Sequence, residues 1–227
     1  MPPSLPQSGA SVKPGPVHFL VVEDQNMFRN AIKRELSDQY AGCIFTEART
    51  VAELHALSPR ITLYHLAVVD LELPDGTALD WISETAQRPG APPIIILSSV
   101  EAKHEFIIYR AAEAGIPGFV HKNDDTSVLH QAIQVVMSGG MFFSPTVQQM
   151  RRKIQAKPDF FNKILTPREQ EMLRYIGEGQ SNEEIAEKMA IRLASVLEHR
   201  KRIMTKLDIH KERELMKYAL EKGFSKI

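Results

Sequence analysis

Apolar residues occur in short runs along the first 137 positions, and each run ends in polar residues. The runs 17–22, 43–46, 66–69, 93–97 and 116–121 have the length of strands, and apolar residues recur at helical spacing between them. Helices are predicted from about Met27 to Leu36 and over 51–57, 77–87, 101–114 and 125–137. Five strands alternating with five helices predict an α/β doubly wound fold with a five-stranded parallel sheet, as in flavodoxin-like domains.

Beyond residue 163 the pattern is helical throughout, with helices predicted over about 167–176, 182–189, 194–207 and 212–222. Thr166 with Glu169, and Ser181 with Glu184, have the spacing of helix capping boxes. A short helix, a turn and a longer basic helix are typical of a helix-turn-helix, whose second helix enters the DNA major groove. The alternative is a plain helical bundle with a solvated charged face.

The remaining segments are predicted to lie outside these two domains, which span 17–137 and 164–227. Residues 1–16 contain five prolines, a composition that predicts a disordered tail. Residues 138–163 are predicted to form a linker with a helix near 146–155. No apolar run approaches the roughly 18 residues needed to cross a bilayer, and the N-terminus lacks a signal-peptide core, so we expect a cytoplasmic protein without membrane contact.

The formal net charge of zero conceals an asymmetry between the two parts of the chain. Residues 1–150 carry 10 Lys and Arg against 16 Asp and Glu, and residues 151–227 carry 18 against 12. The acidic part suits a cation site, whereas the basic part suits a polyanion such as nucleic acid. Cys43 is the only cysteine, which excludes a disulfide framework and a cysteine metal cluster within one chain.

Polar residues follow four of the five predicted strands: Glu23 and Asp24, then Asp70, Ser98 and Lys122. The carboxyl ends of parallel strands meet at one edge of a sheet, where ligands bind in this topology. The set is either a structural ion-pair network or a phosphoryl-transfer site. In the second case Asp70 is the nucleophile, and Mg²⁺ binds Glu23, Asp24, Asp70 and the backbone carbonyl of Glu72.

On these residues, together with Phe119 and the segment 70–76, the first domain resembles the receiver domain of two-component response regulators. The resemblance implies that Asp70 accepts a phosphoryl group from a sensor histidine kinase, with Mg²⁺ required. It further implies that Ser98 is a switch hydroxyl, that Phe119 is a switch aromatic and that Lys122 contacts the phosphoryl group. A phosphatase that turns over an aspartyl phosphate is the enzymatic alternative, but no second catalytic acid is evident near Asp70, so we expect no enzyme.

The second domain resembles the LuxR-type domain of the NarL/FixJ regulators, through segments 165–169 and 182–186 and through Ser195-Val196 followed by His199-Arg200. The resemblance implies a phosphorylation-controlled protein that binds promoter DNA, with RNA polymerase as a candidate partner. We expect a homodimer, because helix-turn-helix sites have two-fold symmetry. Leu197 and Glu198 depart from the family pattern. They keep open a regulator that acts through protein contacts instead. The predicted DNA-contacting residues are Ser195, Leu197, Glu198, Arg200, Lys201, Arg202 and Lys206.

Overall fold

The computed structural model describes residues 16–99, 105–113 and 115–224. The chain divides into two compact units, the first within residues 1–100 and 110–149 and the second within 101–109 and 150–227. Apart from Pro16, the predicted disordered tail lies outside the described residues. In the described part of the chain, no helix is both long and apolar enough to span a membrane.

The strands of the first unit are β1 His18–Val22, β2 Ile44–Ala48, β3 Leu66–Asp70, β4 Glu72–Leu73, β5 Gly76–Thr77, β6 Ile94–Ser98, β7 Gly118–His121 and β8 Phe142–Phe143. β4 and β5 form a separate hairpin, and the others form a parallel sheet with the neighbour order β2-β1-β3-β6-β7-β8. The predicted doubly wound parallel sheet is confirmed, but the sheet has six strands rather than five. The sixth, β8, comes from the segment predicted as linker, and its two residues pair in parallel with Gly118 and Phe119.

Helices alternate with the strands, as the pattern predicts. Those within the first unit are α1 Asn26–Gln39, α2 Val51–Leu57 with a following 3-10 helix Ser58–Leu63, α3 Leu79–Ala86 and α5 Thr126–Met137. Two further helices, α4 Glu105–Glu113 and α6 Pro145–Ala156, have residues in both units, and α6 corresponds to the helix predicted near 146–155. The predicted residues 101–104 and 114 of the fourth helix lie outside the described part. One buried layer joins Phe19, Val68 and Ile95 of the sheet to Ile32 of α1 and Ile133 of α5. Burying such side chains supplies roughly 1.5–3 kcal/mol each.

Gly118 allows β7 to lie close against β6. A Cβ at this position would come within 2.6 Å of Ile95 Cγ1, so a side chain would force the two strands apart. The tight pairing brings Phe119 opposite Ile96 and His121 opposite Ser98. Lys122, the next residue, is thereby placed at the sheet edge where β6 ends.

The second unit is helical, with α7 Phe161–Ile164, α8 Pro167–Gly177, α9 Asn182–Lys188, α10 Leu193–Lys206 and α11 Glu212–Glu221. Both predicted capping boxes are present: Thr166 with Glu169 begins α8, and Ser181 with Glu184 begins α9. Ala190 has φ 52°, and this left-handed residue lies between α9 and α10. Reversal of the chain there produces the short turn of the helix-turn-helix.

Candidate functional site

Three carboxylates meet at the carboxyl edge of the sheet. Val22 and Val69 pair in the register of β1 and β3, so the residues that follow, Glu23 and Asp70, end neighbouring strands. Both are almost removed from solvent, at 0% and 3% exposure. One oxygen from each of Glu23, Asp24 and Asp70 lies within 4.8 Å of the others. The structure therefore brings Asp70 to the adjacent pair Glu23 and Asp24, from which it is 47 and 46 positions apart in the sequence.

The ammonium of Lys122 joins this cluster from the end of β7. Its Nζ lies 2.7 Å from Asp70 Oδ2 and 2.8 Å from Glu23 Oε2, and its side chain is 4% exposed. The same nitrogen lies 4.7 Å from the ring centroid of Phe28. The backbone N–H of Glu72 donates to Asp70 Oδ1 at 3.2 Å. These contacts fix the orientation of the Asp70 carboxylate.

Burial and charge act against each other in this cluster. Burial raises the pKa of Glu23 and that of Asp70, although hydrogen bonds from Lys122 oppose the rise. Burial acts to lower the pKa of Lys122, but its hydrogen bonds to Asp70 and Glu23 prevail and raise it. The Lys122 ammonium is paired with only two of the three carboxylates, Glu23 and Asp70. The excess negative charge and the hard oxygen donors suit a divalent cation such as Mg²⁺.

Ser98 and Phe119, the predicted switch residues, are both fully buried on adjacent strands. Ser98 ends β6, and its carbonyl accepts a hydrogen bond from the backbone N–H of Lys122 at 2.9 Å. Phe119 lies between Ile96 and Phe143 in the sheet register. Ser98 thus lies on β6, which pairs with the strand that carries Asp70, and Phe119 lies on the next strand, β7. Their movement on phosphorylation stays a prediction.

The loop after Asp70 is anchored away from the carboxylates. Asp75, in the β4–β5 hairpin, accepts hydrogen bonds from the backbone N–H groups of Val51 and Ala52 at 2.6 and 3.0 Å. N–H groups in the first turn of a helix have no acceptor within the helix, so Asp75 caps the start of α2 from a distant part of the sequence. Within the same hairpin, Glu72 Oε2 lies 3.5 Å from Ser99 Oγ.

In the second unit, α10 has one buried face and one exposed face. Val196 and Ile203 are fully buried, whereas Leu197 is 50% exposed. Glu198 and Lys201 share the exposed side of the helix. The predicted start at Ala194 is one residue late, since α10 begins at Leu193. Its N-cap is Arg192, whose side chain makes no capping hydrogen bond, so the helix begins without the usual hydroxyl cap.

The predicted DNA-contacting residues fall into distinct environments. Lys206 donates to Glu169 Oε2 at 2.7 Å, and Arg200, with an 11% exposed side chain, lies 3.5 Å from Glu212. Arg202 faces Glu198 at 3.6 Å, with both side chains more than half exposed. Lys201 and Leu197 are exposed, and Ser195 is half-buried. The structure therefore presents only part of the predicted set to solvent.

Two segments of the chain match known protein families. Residues 19–134 match the response regulator receiver domain, and residues 163–219 match the luxR family of bacterial regulatory proteins. The chain belongs to the response regulator family. It is 27% identical over 211 residues to the response regulator protein VraR of Staphylococcus aureus, covering 90% of this chain and 97% of VraR. With its LuxR-type domain, this response regulator is a transcription regulator.

Solved structures with the same fold include RcsB from Salmonella enterica serovar Typhimurium bound to promoter P1flhDC with the phosphomimetic BeF3-. That structure is 23% identical, covers 91% of this chain and 99% of RcsB, and gives a TM-score of 0.60. RcsB bound to promoter rprA, also with BeF3-, is 22% identical over 90% of this chain and 98% of RcsB, with a TM-score of 0.59. At this identity the likeness shows the shared fold of the response regulator.

Two supports of the site were not predicted from the sequence. Arg29, 4% exposed, donates to the backbone carbonyls of Glu23 and Asp24 at 2.8 and 3.1 Å and pairs with Glu47 at 3.0 Å. It therefore holds the backbone that carries the acidic pair. Phe28 covers Lys122. The signal for Arg29 in the sequence is its spacing, which places it on the face of α1 that carries Ile32 and Leu36. A charged residue on a buried face is expected to be paired.

Proposed function

We propose that this response regulator accepts a phosphoryl group on Asp70 from a sensor histidine kinase and thereby controls promoter binding by α10. The observation that carries the proposal is the geometry around Asp70. A buried carboxylate at a strand end is oriented by Lys122 and by the Glu72 N–H, with two further carboxylates beside it.

In the transfer, an Asp70 oxygen forms the new P–O bond while the P–N bond to the kinase histidine breaks. The departing imidazole takes up a proton. Lys122 starts 2.7 Å from Asp70 Oδ2, so its ammonium is placed to offset negative charge on the transferring oxygens. The chemistry is mostly positioning and charge stabilisation, which suits a site whose groups are already buried and oriented.

The residues that would hold Mg²⁺ are Glu23, Asp24 and Asp70, together with the backbone carbonyl of Glu72. When bound, the ion supplies positive charge at the phosphoryl oxygens. The three carboxylates fit this role because their oxygens already lie within 4.8 Å of one another. Lys122 alone leaves them with excess negative charge.

On the output side, we infer that α10 enters the major groove and that Lys201, Arg202 and Ser195 contribute contacts there. Phosphorylation would act through Ser98 and Phe119 and favour a homodimer, because helix-turn-helix proteins bind paired half-sites. The similar RcsB structures are bound to promoters. A cytoplasmic location and contact with RNA polymerase stay predictions, and we expect no multiple turnover of a phosphate ester.

A second candidate is a regulator that acts through protein contacts with little specific DNA binding. It is favoured by the pairing of three basic residues of α10 with carboxylates: Lys206 with Glu169, Arg200 with Glu212 and Arg202 with Glu198. Each pairing reduces the positive charge that α10 offers to phosphates.

Selection of bound DNA from a random pool separates the two candidates. The protein is phosphorylated with an acyl phosphate and Mg²⁺, and phosphate on Asp70 is verified by mass spectrometry. Enrichment of one sequence, stronger with phosphorylated than with unphosphorylated protein, supports the first candidate. If phosphorylated protein enriches no sequence, promoter control by α10 fails and the second candidate takes its place.

A further inference from the structure

We propose that Leu197 and Glu198 determine the DNA sequence that α10 selects, by favouring a thymine next to a cytosine. This inference rests on the proposed function, because it requires α10 to enter the major groove. It assigns base selection to the two residues that depart from the family pattern.

Both residues are placed to reach base edges. They are the fifth and sixth residues of α10, which begins at Leu193, and the N-terminal part of a recognition helix is the part that contacts bases. Their neighbour Val196 is fully buried, as is Ile203 one turn further along the same inner face. Because that face is fixed in the core, Leu197 and the Glu198 carboxylate, which is 71% exposed, must point away from it.

The charge of Glu198 restricts what it can contact in DNA. A carboxylate repels phosphates and the acceptor atoms on guanine, so a favourable partner must offer hydrogens. In the major groove the N4 amino group of cytosine is such a donor. The adenine amino group lies beside the N7 acceptor, which makes it a poorer partner for a carboxylate than for an amide.

Arg202 lies beside the Glu198 carboxylate. Its guanidinium lies 3.6 Å from Glu198 Oε2, one helical turn further along α10. An ionised carboxylate has about four acceptor sites on its two oxygens, so pairing with Arg202 leaves capacity for a cytosine. The pair also offsets repulsion between Glu198 and the nearby phosphates.

Leu197 adds an apolar contact beside Glu198. Its side chain is 50% exposed on the side of α10 that also carries the exposed Glu198 and Lys201. The thymine methyl group is the apolar feature of the major groove, and contact with it removes both groups from water. A thymine adjacent to the cytosine is therefore the expected neighbour.

The test compares DNA selected by phosphorylated wild-type protein, Glu198→Gln, Leu197→Ala and a control, Glu221→Gln. Glu221 is matched to Glu198 because it is also an exposed helical carboxylate, 3.6 Å from the basic residue Lys217 four positions away. Binding to the selected site and to its single-base variants is then measured for each protein.

We expect wild type and Glu221→Gln to prefer cytosine at one position by about tenfold. Glu198→Gln should change that preference to adenine, because glutamine pairs with adenine N6 and N7. Leu197→Ala should reduce the preference for the neighbouring thymine. If wild type selects a site and Glu198→Gln and Leu197→Ala select it with unchanged preferences, this inference is overturned while the proposed function stands. If wild type selects no site, the proposed function fails first.

Discussion

The two candidate functional surfaces of this response regulator differ in how far their charged side chains are exposed to solvent. At the sheet edge, Lys122 and Asp70 are 4% and 3% exposed, and their charged atoms lie 2.7 Å apart. On α10, Arg202 and Glu198 are 63% and 71% exposed, and their atoms lie 3.6 Å apart. The first surface is assembled from four strand ends, whereas the second is one face of a single helix.

This difference separates reactivity from recognition. Buried charges are screened little by salt and keep a fixed geometry, which phosphoryl transfer requires. Exposed charges are screened within a Debye length of about 8 Å at physiological ionic strength, and they are free to move toward a partner. We therefore expect substitutions at the sheet edge to reduce phosphorylation or cation binding by larger factors than substitutions on α10 reduce DNA binding.

The largest effect is expected from Asp70→Asn. An amide cannot form the acyl phosphate, so incorporation of phosphate from an acyl phosphate donor should fall to background in intact-protein mass spectrometry. Asp38→Asn is the matched control, because Asp38 is a 62% exposed aspartate of the same unit, and it should be phosphorylated as wild type is. Full phosphorylation of Asp70→Asn would show that Asp70 is not the phosphoryl acceptor.

A smaller effect is expected when one carboxylate of the cation site is neutralised. Asp24→Asn and Glu23→Gln should each weaken Mg²⁺ binding by about tenfold or more, since affinity follows the number of charged ligands. Calorimetric titration with MgCl₂ measures this. Glu72→Ala is the control: it keeps the backbone carbonyl predicted to bind, so its affinity should stay near that of wild type. Unchanged affinity in Asp24→Asn would contradict the assigned ligand set.

On α10 the comparison predicts separable roles for two lysines. Lys201→Met should reduce the slope of log K against log salt by about 0.9, the value for one lost phosphate contact. Lys206→Met should leave that slope unchanged, because its ammonium is already paired with Glu169 at 2.7 Å. It should instead lower the free energy of unfolding by about 1 kcal/mol, because the nearly buried Glu169 loses a partner. Equal slopes for wild type and Lys201→Met would show that Lys201 makes no phosphate contact.

The smallest effect is a pH dependence from Glu169. Burial acts to raise its pKa, but hydrogen bonds from Lys206 and Thr166 prevail and lower it below the ordinary 4.5. The carboxylate therefore stabilises the fold above pH 4.5 and loses that contribution as the pH falls through its lowered pKa. The difference in melting temperature between wild type and Glu169→Gln should be constant above about pH 6 and shrink below pH 4.5. A difference that grows on acidification would show the opposite shift.

Local patterns predicted most elements accurately. Val51–Leu57 has the predicted bounds of its helix, and the capping boxes at Thr166 and Ser181 lie where the spacing places them, because capping depends on residues three apart. The pattern failed at β8. Phe142 and Phe143 are too short a run to stand out as a strand. They join the sheet because the backbone N–H groups of Phe142 and Ser144 donate to the carbonyls of Pro117 and Phe119.

The sequence by itself determined the order of strands and helices, the acidic residues at the strand ends and the basic helix that follows. These features depend on periodicity and on neighbours within a few positions. Only the tertiary structure decided which charges are paired. Asp70 and Lys122 are 52 residues apart, and Lys206 and Glu169 are 37 apart. Such contacts arise from packing of whole elements, so no local pattern distinguishes Lys206, whose ammonium is paired with Glu169, from Lys201.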